Sequence, residues 1–264
     1  AVAPFTSADN PAPIDLAGNT TQTAFDLGSG LTGSASYSDA VGGFDSNDFF
    51  KFSLSTRSNV NLALNGLTAN LELELLGSTG ALIQSSTLTG NASESISRTL
   101  DSGTYYVRVF PVNDINNSSY SLGLAINNLP VLATNTGLTL DEATTSTIGS
   151  GLLTATDNDN AQAQLSYVLT RLPDHGQILL NGVALITGST FTQADITDGT
   201  RLRYQHDGSE TVSDSFSFDL TDGVGGVLTG SLFNITVNPV NDPPALTVPP
   251  AQTIDQGSTV AILG

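Results

Sequence analysis

Two short acidic stretches in the second half of the chain have the residue types and spacing of a site for a hard cation. Asp157 and Asp159 stand two positions apart in "ATDNDN", directly after an apolar run, and Asp222 stands in "LTDGVGG" at a comparable strand end. A strand that leads into a turn brings such carboxylates together, and carboxylate oxygens are ligands that calcium prefers. The alternative is a turn rich in Asp and Asn, whose side chains bond their own backbone and hold no metal.

Other metal-binding and catalytic patterns are not met. Counted from Asp157, the Gly and the Glu that an EF-hand loop requires are replaced by Gln162 and Val168. The two histidines, His175 and His206, are flanked by turn residues, and the sequence contains neither a G-x-S-x-G elbow nor a His or Cys cluster for zinc. We therefore predict that the chain is not an enzyme. A carboxylate pair for glycoside hydrolysis stays open, because any two Asp residues can approach each other in space.

The amino-acid composition limits the classes of partner that the chain can bind. Seven Lys+Arg stand against 25 Asp+Glu, a formal net charge of −18, which disfavours binding to nucleic acid or to an anionic membrane surface. Of the acidic residues, 20 are Asp and 5 are Glu, and Asp is both a turn former and a compact ligand for calcium. The absence of Cys excludes disulfides and thiolate metal sites, and no apolar run approaches the roughly 20 residues that span a bilayer.

Alternation of apolar and polar residues predicts many short strands. In "DFFKFSL" the apolar residues Phe50, Phe52 and Leu54 share one face, and runs such as "NLELELLG", "QLSYVLT" and "DSFSFDLT" behave alike. Turn signals separate these runs, and only "TQADITDG" favours a single helical turn. The predicted fold class is all-β, with two antiparallel β-sandwich domains in tandem.

An internal repeat sets the domain boundaries. The stretch "INNLPVLATNTGLTLDEA" (126–143) aligns without a gap on "VNDPPALTVPPAQTIDQG" (240–257) at an offset of 114 residues, as expected for an array of repeated units. We therefore predict a leader or linker at 1–20, a first sandwich at 21–126 and one full repeat at 127–242. We also predict that residues 243–264 are the start of a second, incomplete repeat.

The first domain resembles the bacterial pre-peptidase C-terminal domain. The resemblance lies in "FDSNDFFKFSL" (44–54), "LELELLGSTGALIQSS" (71–86), "LDSGTYYVRVF" (100–110) and "NSSYSLGLA" (117–125), four blocks in the order of the family. It implies a jelly-roll-like β-sandwich of a kind found beside secreted peptidases and in surface proteins.

The second domain resembles cadherin-like repeats of the chondroitin-sulfate-proteoglycan type. The resemblance lies in 152–182, in "FTQADITDGTRLRYQHDGSETVSDSFSFDLTDG" (191–223) and in "FNITVNPVNDPP" (233–244). It implies an Ig-like Greek-key sandwich, arranged in tandem with calcium at the junctions. The first implied site faces the preceding linker and consists of Asn127, Asn128, Asp157, Asp159 and Asp222. Asn128 and Leu129 replace the aspartate and the proline of the pattern, so we expect weaker binding there.

Two further groups of residues are candidates for metal binding. The opposite pole of the repeat offers a second implied calcium site, made of Glu142, Asp207, Glu210, Asn241 and Asp242. The first domain offers a weaker cluster of Asp45, Asn47 and Asp48 with Asp114 as a remote partner, for which an acidic turn before a strand is the favoured alternative.

These observations lead to one hypothesis and two alternatives. The hypothesis is a non-catalytic, calcium-binding structural or adhesive segment of a secreted or cell-surface bacterial protein, with Ca²⁺ as cofactor and with other domains of the chain, neighbouring copies, or a surface glycan or protein as partners. The first alternative is an accessory module that binds peptide or glycan for a secreted enzyme, for which alternation leaves Tyr106 and Tyr37 exposed. The second is a filament subunit that assembles by strand addition through its C-terminal segment.

Overall fold

The computed structural model of the chain describes residues 15–43, 45–113, 117–243 and 256–257. Its first domain consists of nine strands: β1 (Phe25–Ser29), β2 (Gly33–Val41), β3 (Asp48–Leu54), β4 (Ser58–Asn65), β5 (Leu71–Leu76), β6 (Leu82–Ser86), β7 (Glu94–Leu100), β8 (Gly103–Pro111) and β9 (Ser118–Asn128). They form one sheet in the order β1-β3-β8-β5-β6 and a second in the order β2-β9-β4-β7.

The first core lies between these two sheets and follows the predicted alternation. Phe50, Phe52 and Leu54 of β3 are buried, as are the inward residues of β4, β5 and β9. Burial of these alternating apolar side chains is the main stabilising contribution to the sandwich. One predicted exposure is wrong, because Tyr37 packs against this core and lies 6.3 Å from the ring of Phe50.

The second domain contains eleven strands and one short helix. The strands are β10 (Val131–Asn135), β11 (Leu138–Asp141), β12 (Thr145–Thr147), β13 (Leu153–Thr156), β14 (Ser166–Arg171), β15 (Gly176–Leu180), β16 (Val183–Ala184), β17 (Thr190–Thr192), β18 (Leu202–His206), β19 (Ser213–Thr221) and β20 (Val227–Asn238). They form sheets in the orders β11-β20-β19-β14-β17, β12-β18-β15-β16 and β10-β13 around a second core.

The helical turn predicted for "TQADITDG" is confirmed as α1 (Gln193–Thr197). The Thr192 side chain accepts a hydrogen bond from the N–H of Asp195, and the Asp195 side chain accepts one from the N–H of Thr192. This reciprocal capping satisfies backbone donors that a five-residue helix would otherwise expose.

The all-β class is confirmed, with two refinements. β1 pairs with β3, and β11 with β20, in parallel rather than antiparallel register. The first sandwich also begins before residue 21, because Ala17 is buried in its core and the N–H groups of Leu16 and Ala17 donate to Asp39 Oδ2, each at 2.9 Å. Among the described residues, no helix is long and apolar enough to cross a bilayer.

Candidate metal centres

The junction between the two domains is held by hydrogen bonds to a buried aspartate. Asp222 is 1 % exposed at the end of β19, and its carboxylate accepts from Asn127 Nδ2 at 2.7 Å. The same carboxylate accepts the N–H groups of Val224 at 2.8 Å and Gly226 at 2.9 Å, which fixes the loop after β19. Asn59 Nδ2 of the first domain donates to Gly225 O of this loop at 2.9 Å. The interdomain contact is therefore built from amides of one domain and oxygens of the other.

Beside this network lie two carboxylates whose hydrogen bonding is incomplete. Asp157 Oδ1 accepts the N–H of Asp159, and Asp159 Oδ2 accepts the N–H of Asn128 across the junction, at 3.1 and 3.0 Å. Asp157 Oδ2 and Asp159 Oδ1 are buried and have no hydrogen-bond partner among the described residues. Buried polar atoms are nearly always paired, so two unpaired carboxylate oxygens at one place are an unusual and costly arrangement.

The pKa of Asp157 indicates that the negative charge of this carboxylate pair is poorly compensated. Burial, together with the nearby Asp159 and Asp222 carboxylates, raises the pKa of Asp157 to about 7. Two ionised carboxylates at this spacing repel each other unless a proton or a cation lies between them. The predicted convergence of three carboxylates is not observed, since Asp157, Asp159 and Asp222 do not all offer oxygens within 4.8 Å of one another, and the Asp222 carboxylate accepts hydrogen bonds from Asn127 and the loop after β19.

Asn128, predicted as a ligand at this junction, is turned away from it. Its Oδ1 accepts hydrogen bonds from Ser58 Oγ at 2.6 Å and from Thr56 Oγ1 at 3.1 Å, both in the first domain. The side chain is 4 % exposed, and only the backbone N–H reaches Asp159. Asn128 therefore positions the linker rather than offering an oxygen to the site. Asn127 lies at the junction, where its Nδ2 donates to Asp222, and its role as a metal ligand stays a prediction.

The opposite pole of the second domain forms a compact carboxylate cluster. Glu142, Glu210 and Asp242 each offer an oxygen, and these oxygens lie within 4.8 Å of one another. Glu142 is 5 % exposed, and its Oε2 accepts the N–H of Val240 at 3.2 Å. Since β20 runs from the junction loop to this pole, the two candidate centres lie at opposite ends of one strand.

Two residues predicted for the distal centre do not join the carboxylate group. Asp207 Oδ1 accepts both the N–H and the hydroxyl of Ser209, at 2.9 and 2.6 Å, and these bonds lower the pKa of Asp207. Asn241 is exposed, and its Nδ2 donates to Asp242 O at 3.3 Å. Asp207 is thus occupied locally, because a serine two positions later closes a turn around its carboxylate.

The first domain contains a third carboxylate cluster, at the end of β9 away from the junction. Oxygens of Asp15, Asp39 and Asp48 lie within 4.8 Å of one another. Asp48 is fully buried at the start of β3. Its Oδ2 accepts the hydroxyl of Tyr120, while its Oδ1 has no partner among the described residues. Burial raises the pKa of Asp48 to about 8, outweighing the opposite effect of the Tyr120 hydrogen bond.

This cluster overlaps only in part with the sequence prediction. Asp48 is in it, and Asp45 is close enough that burial and the charges of Asp15 and Asp39 raise its pKa. Asn47 instead accepts a hydrogen bond from Arg108 Nε at 2.7 Å, and Asp114 lies outside the described residues. Asp15 and Asp39 were missed, although Asp39 carries a signal, since alternation along β2 places it on the inward face with Val41.

The histidines form no catalytic arrangement with their neighbours. His206 is buried at the end of β18 rather than in a turn, and its Nε2 lies 3.1 Å from Thr211 Oγ1. Ser209 Oγ lies 3.3 Å from His175 Nδ1, but its hydroxyl donates to Asp207. A nucleophilic serine requires the opposite arrangement, with the hydroxyl proton directed to the imidazole.

The fold, the carboxylate pair at the junction and the two compact carboxylate clusters define a class of tandem β-sandwich modules with acidic ends. The particular modules follow from comparison with family models: the bacterial pre-peptidase C-terminal domain matches residues 46–111, and the cadherin-like domain matches residues 130–237. Both resemblances predicted from the sequence are therefore confirmed, in the predicted order.

Similar curated proteins are extracellular matrix and cell-surface proteins. The chain is 39 % identical over 132 residues to human extracellular matrix organizing protein FRAS1, and this match covers 49 % of this chain and 3 % of FRAS1. It is 34 % identical over 142 residues to human chondroitin sulfate proteoglycan 4, which covers 54 % of this chain and 5 % of that protein. The chain thus spans a small fraction of the length of these relatives.

Among solved structures, the pre-peptidase C-terminal domain of collagenase from Bacillus anthracis is 15 % identical. The match covers 38 % of this chain and 91 % of that domain, with a TM-score of 0.32.

Proposed function

We propose that this chain is a non-catalytic, calcium-binding structural segment of a secreted or cell-surface bacterial protein. In this proposal, cations at the ends of the sandwiches stiffen the joints and hold the modules in an extended array. The extracellular matrix protein and the proteoglycan to which the chain is similar support an extracellular, structural role.

The observation that carries the proposal is the pair of buried, unpartnered oxygens on Asp157 and Asp159. The other oxygen of Asp159, Oδ2, accepts the Asn128 N–H of the linker, and burial, followed by the Asp159 and Asp222 carboxylates, raises the pKa of Asp157. A divalent cation would neutralise the repulsion and satisfy both oxygens, with Asn127 able to offer its amide oxygen. The Asx-turn alternative explains the bond from the Asp159 N–H, but without a cation it leaves the two buried oxygens with no partner except a shared proton, which is lost above the raised pKa of Asp157.

The donor atoms favour calcium over softer metals. The junction and the two compact clusters offer carboxylate and amide oxygens, and the chain has no Cys. Sites that offer only oxygen ligands in irregular coordination geometry suit Ca²⁺, which accepts six to eight ligands, whereas Zn²⁺ prefers nitrogen and sulfur ligands. The fully buried Asp48, with its unpartnered Oδ1, supports a similar assignment for the cluster in the first domain.

Calorimetry of the chain in chelator and in millimolar calcium tests the proposal. Calcium that binds only the folded form stabilises it by about 2.7 kcal/mol at a hundredfold excess over the dissociation constant. We expect one or both unfolding transitions to move up in calcium, and small-angle scattering to show a narrower range of interdomain arrangements. Transitions that coincide in chelator and in calcium would reject the metal-dependent function.

A further inference from the structure

The chain enters and leaves the second domain at opposite poles. It enters at the junction, where the N–H of Leu129 donates to Arg57 O of the first domain at 3.0 Å. It leaves at the distal pole, where β20 ends and the N–H of Val240 donates to Glu142 Oε2 at 3.2 Å. Tension applied to the chain on both sides of the domain therefore acts along β20, which runs from one pole to the other.

β11 and β20 lie side by side and point in the same direction. Their register pairs Leu138 with Ile235 and continues without a shift to Asp141 and Asn238. Tension draws β11 towards the junction through the chain that precedes it, and it draws β20 towards the distal pole through the chain that follows it. In a parallel pair these opposite pulls slide one strand along the other, so the hydrogen bonds between the strands are loaded together. Strands that are peeled apart from one end break the same bonds one after another, at a lower force.

Further hydrogen bonds extend the contact beyond the four paired residues of β11. At the distal end, the N–H of Glu142 donates to Asn238 O and Asn238 Nδ2 donates to Asp141 Oδ1, both at 3.0 Å. At the other end, Asn135 Nδ2 donates to Leu232 O, also at 3.0 Å. Sliding β11 along β20 must break these bonds together with those of the strand pair.

Buried apolar side chains cover the pair on its inner side. Leu138 and Leu140 of β11 and Ile235 and Val237 of β20 are all buried in the second core. Sliding β11 would draw two leucines out of this core, and exposing their apolar surface opposes the movement in addition to the hydrogen bonds.

Gly137 allows β11 to reach β20. β10 pairs with β13 in another sheet, so the chain must cross from that sheet to β20 between Asn135 and Leu138. Gly137 makes this crossing with a φ of 81°, and a Cβ atom at this position would lie 2.8 Å from Asn234 O of β20. A side chain there would therefore push β11 away from β20.

We propose that β11 and β20 form a shear clamp, which makes the second domain resist tension along the chain. This inference rests on the structural function proposed above, since an extended array transmits force through each of its modules in turn. It does not require the metal, because the loaded bonds join the two strands directly. Glu142 follows β11 and Asp242 follows β20, so a cation held by both would tie the ends of the strands together and strengthen the clamp.

Force spectroscopy of the full chain in chelator tests the inference through the direction of pulling. The chain has no Cys, so an introduced pair of cysteines defines where two DNA handles attach in optical tweezers. Val131→Cys with Val240→Cys loads β11 against β20 in shear. Val212→Cys with Val240→Cys peels β20 from its distal end, because Val212 O accepts the N–H of Val237 there. All three replaced valines are exposed, so the two pairs are matched in residue type and surroundings.

At equal loading rates, we expect the unfolding force in shear to be at least about twofold higher than in peeling, since forced unfolding reports the barrier along the pulled direction. Gly137→Ala, added to both cysteine pairs, should lower the shear force by a larger factor than the peeling force, because the pairing of β19 with β20 is retained. Gly149→Ala is the matched control. A Cβ atom at position 149 meets no atom within 4 Å, so both forces should stay unchanged.

Equal forces in the two directions, or a higher force in peeling, would overturn the shear clamp. A Gly137→Ala variant that weakens both directions by the same factor would also overturn it, because the substitution would then act on the stability of the whole domain. The calorimetric shift in calcium does not depend on the direction of pulling. The clamp and the metal-dependent function can therefore fail separately.

Discussion

Replacing Asp157 with Asn should change the stability of the chain in opposite directions with and without calcium. In chelator at pH 8 the wild-type carboxylate is ionised next to Asp159, although its pKa is raised to about 7 from an ordinary 3.8. That difference corresponds to about 4 kcal/mol if all of it is expressed in stability. Because the side chain is partly accessible and water screens the repulsion, we expect Asp157→Asn to stabilise the calcium-free chain by about 1 kcal/mol.

In calcium the same substitution should reduce the gain in stability. The wild type gains about 2.7 kcal/mol at a hundredfold excess of calcium, and a variant with tenfold weaker binding gains about 1.4 kcal/mol. Differential scanning calorimetry in both buffers gives the two numbers. Asp101→Asn is the control, because it removes the same charge at a site that is 87 % exposed, and it should alter neither number.

The stability of the chain in chelator should depend on pH through the ionisation of Asp157. Its pKa is higher in the folded than in the unfolded chain, so the folded state retains a proton that the unfolded state releases above about pH 4. Stability should therefore fall as pH rises from about 4 to 7, and Asp157→Asn should flatten this slope. If Asp157→Asn instead destabilises the calcium-free chain and leaves the calcium gain intact, the carboxylate is only a turn acceptor and the reasoning fails.

Three further predictions concern the other clusters and the junction. Asp48→Asn should stabilise the calcium-free first domain and remove a loss of stability between about pH 4 and 8, because the pKa of Asp48 is raised to about 8; urea unfolding at several pH values measures this. Asp222→Ala should cost about 3 kcal/mol by leaving three donors unpaired, and Asp222→Asn, which keeps one acceptor oxygen, should recover most of this loss, as measured by calorimetry in chelator. Ala143→Gly should stabilise the chain by about 0.5–1 kcal/mol in thermal unfolding, because Ala143 has a φ of 56° and Gly257, its counterpart in the next repeat, has 92°.

The strands were predictable because their signal is local. Phe50, Phe52 and Leu54 reveal the inward face of β3 by alternation alone, and the same rule extends to Asp48, which occupies the next inward position. An acidic residue on an inward strand position is therefore a usable sign of a buried polar site. Asp39 also occupies an inward strand position. Its role, however, depends on the N–H groups of Leu16 and Ala17, which lie 23 and 22 positions earlier in the sequence.

Which acidic residues join each candidate site was less predictable, because nearby hydrogen-bond donors compete with a cation for the same carboxylate oxygens. Asp207, like Asp157, is an acidic residue in a turn. Ser209 lies two positions later, and both its N–H and its hydroxyl donate to the Asp207 carboxylate. Asp157 has Asp159 at the same spacing, which can donate only its backbone N–H. The chemistry of the residue at the second position thus decides which aspartate remains available to a cation.

Equivalent positions in the two linkers, 128 and 242, have different surroundings and different roles. Asn128 corresponds to Asp242 at the offset of 114 residues, yet Asn128 is buried under the hydroxyls of Ser58 and Thr56, whereas Asp242 is exposed and faces Glu142. A carboxylate at position 128 would be buried without a cationic partner, so a neutral amide is the stable choice there. The first joint is fastened by direct hydrogen bonds, and a cation would add stiffness to it. At the distal pole the described contacts leave three carboxylates close together, and a cation there would be the principal means of relieving their repulsion.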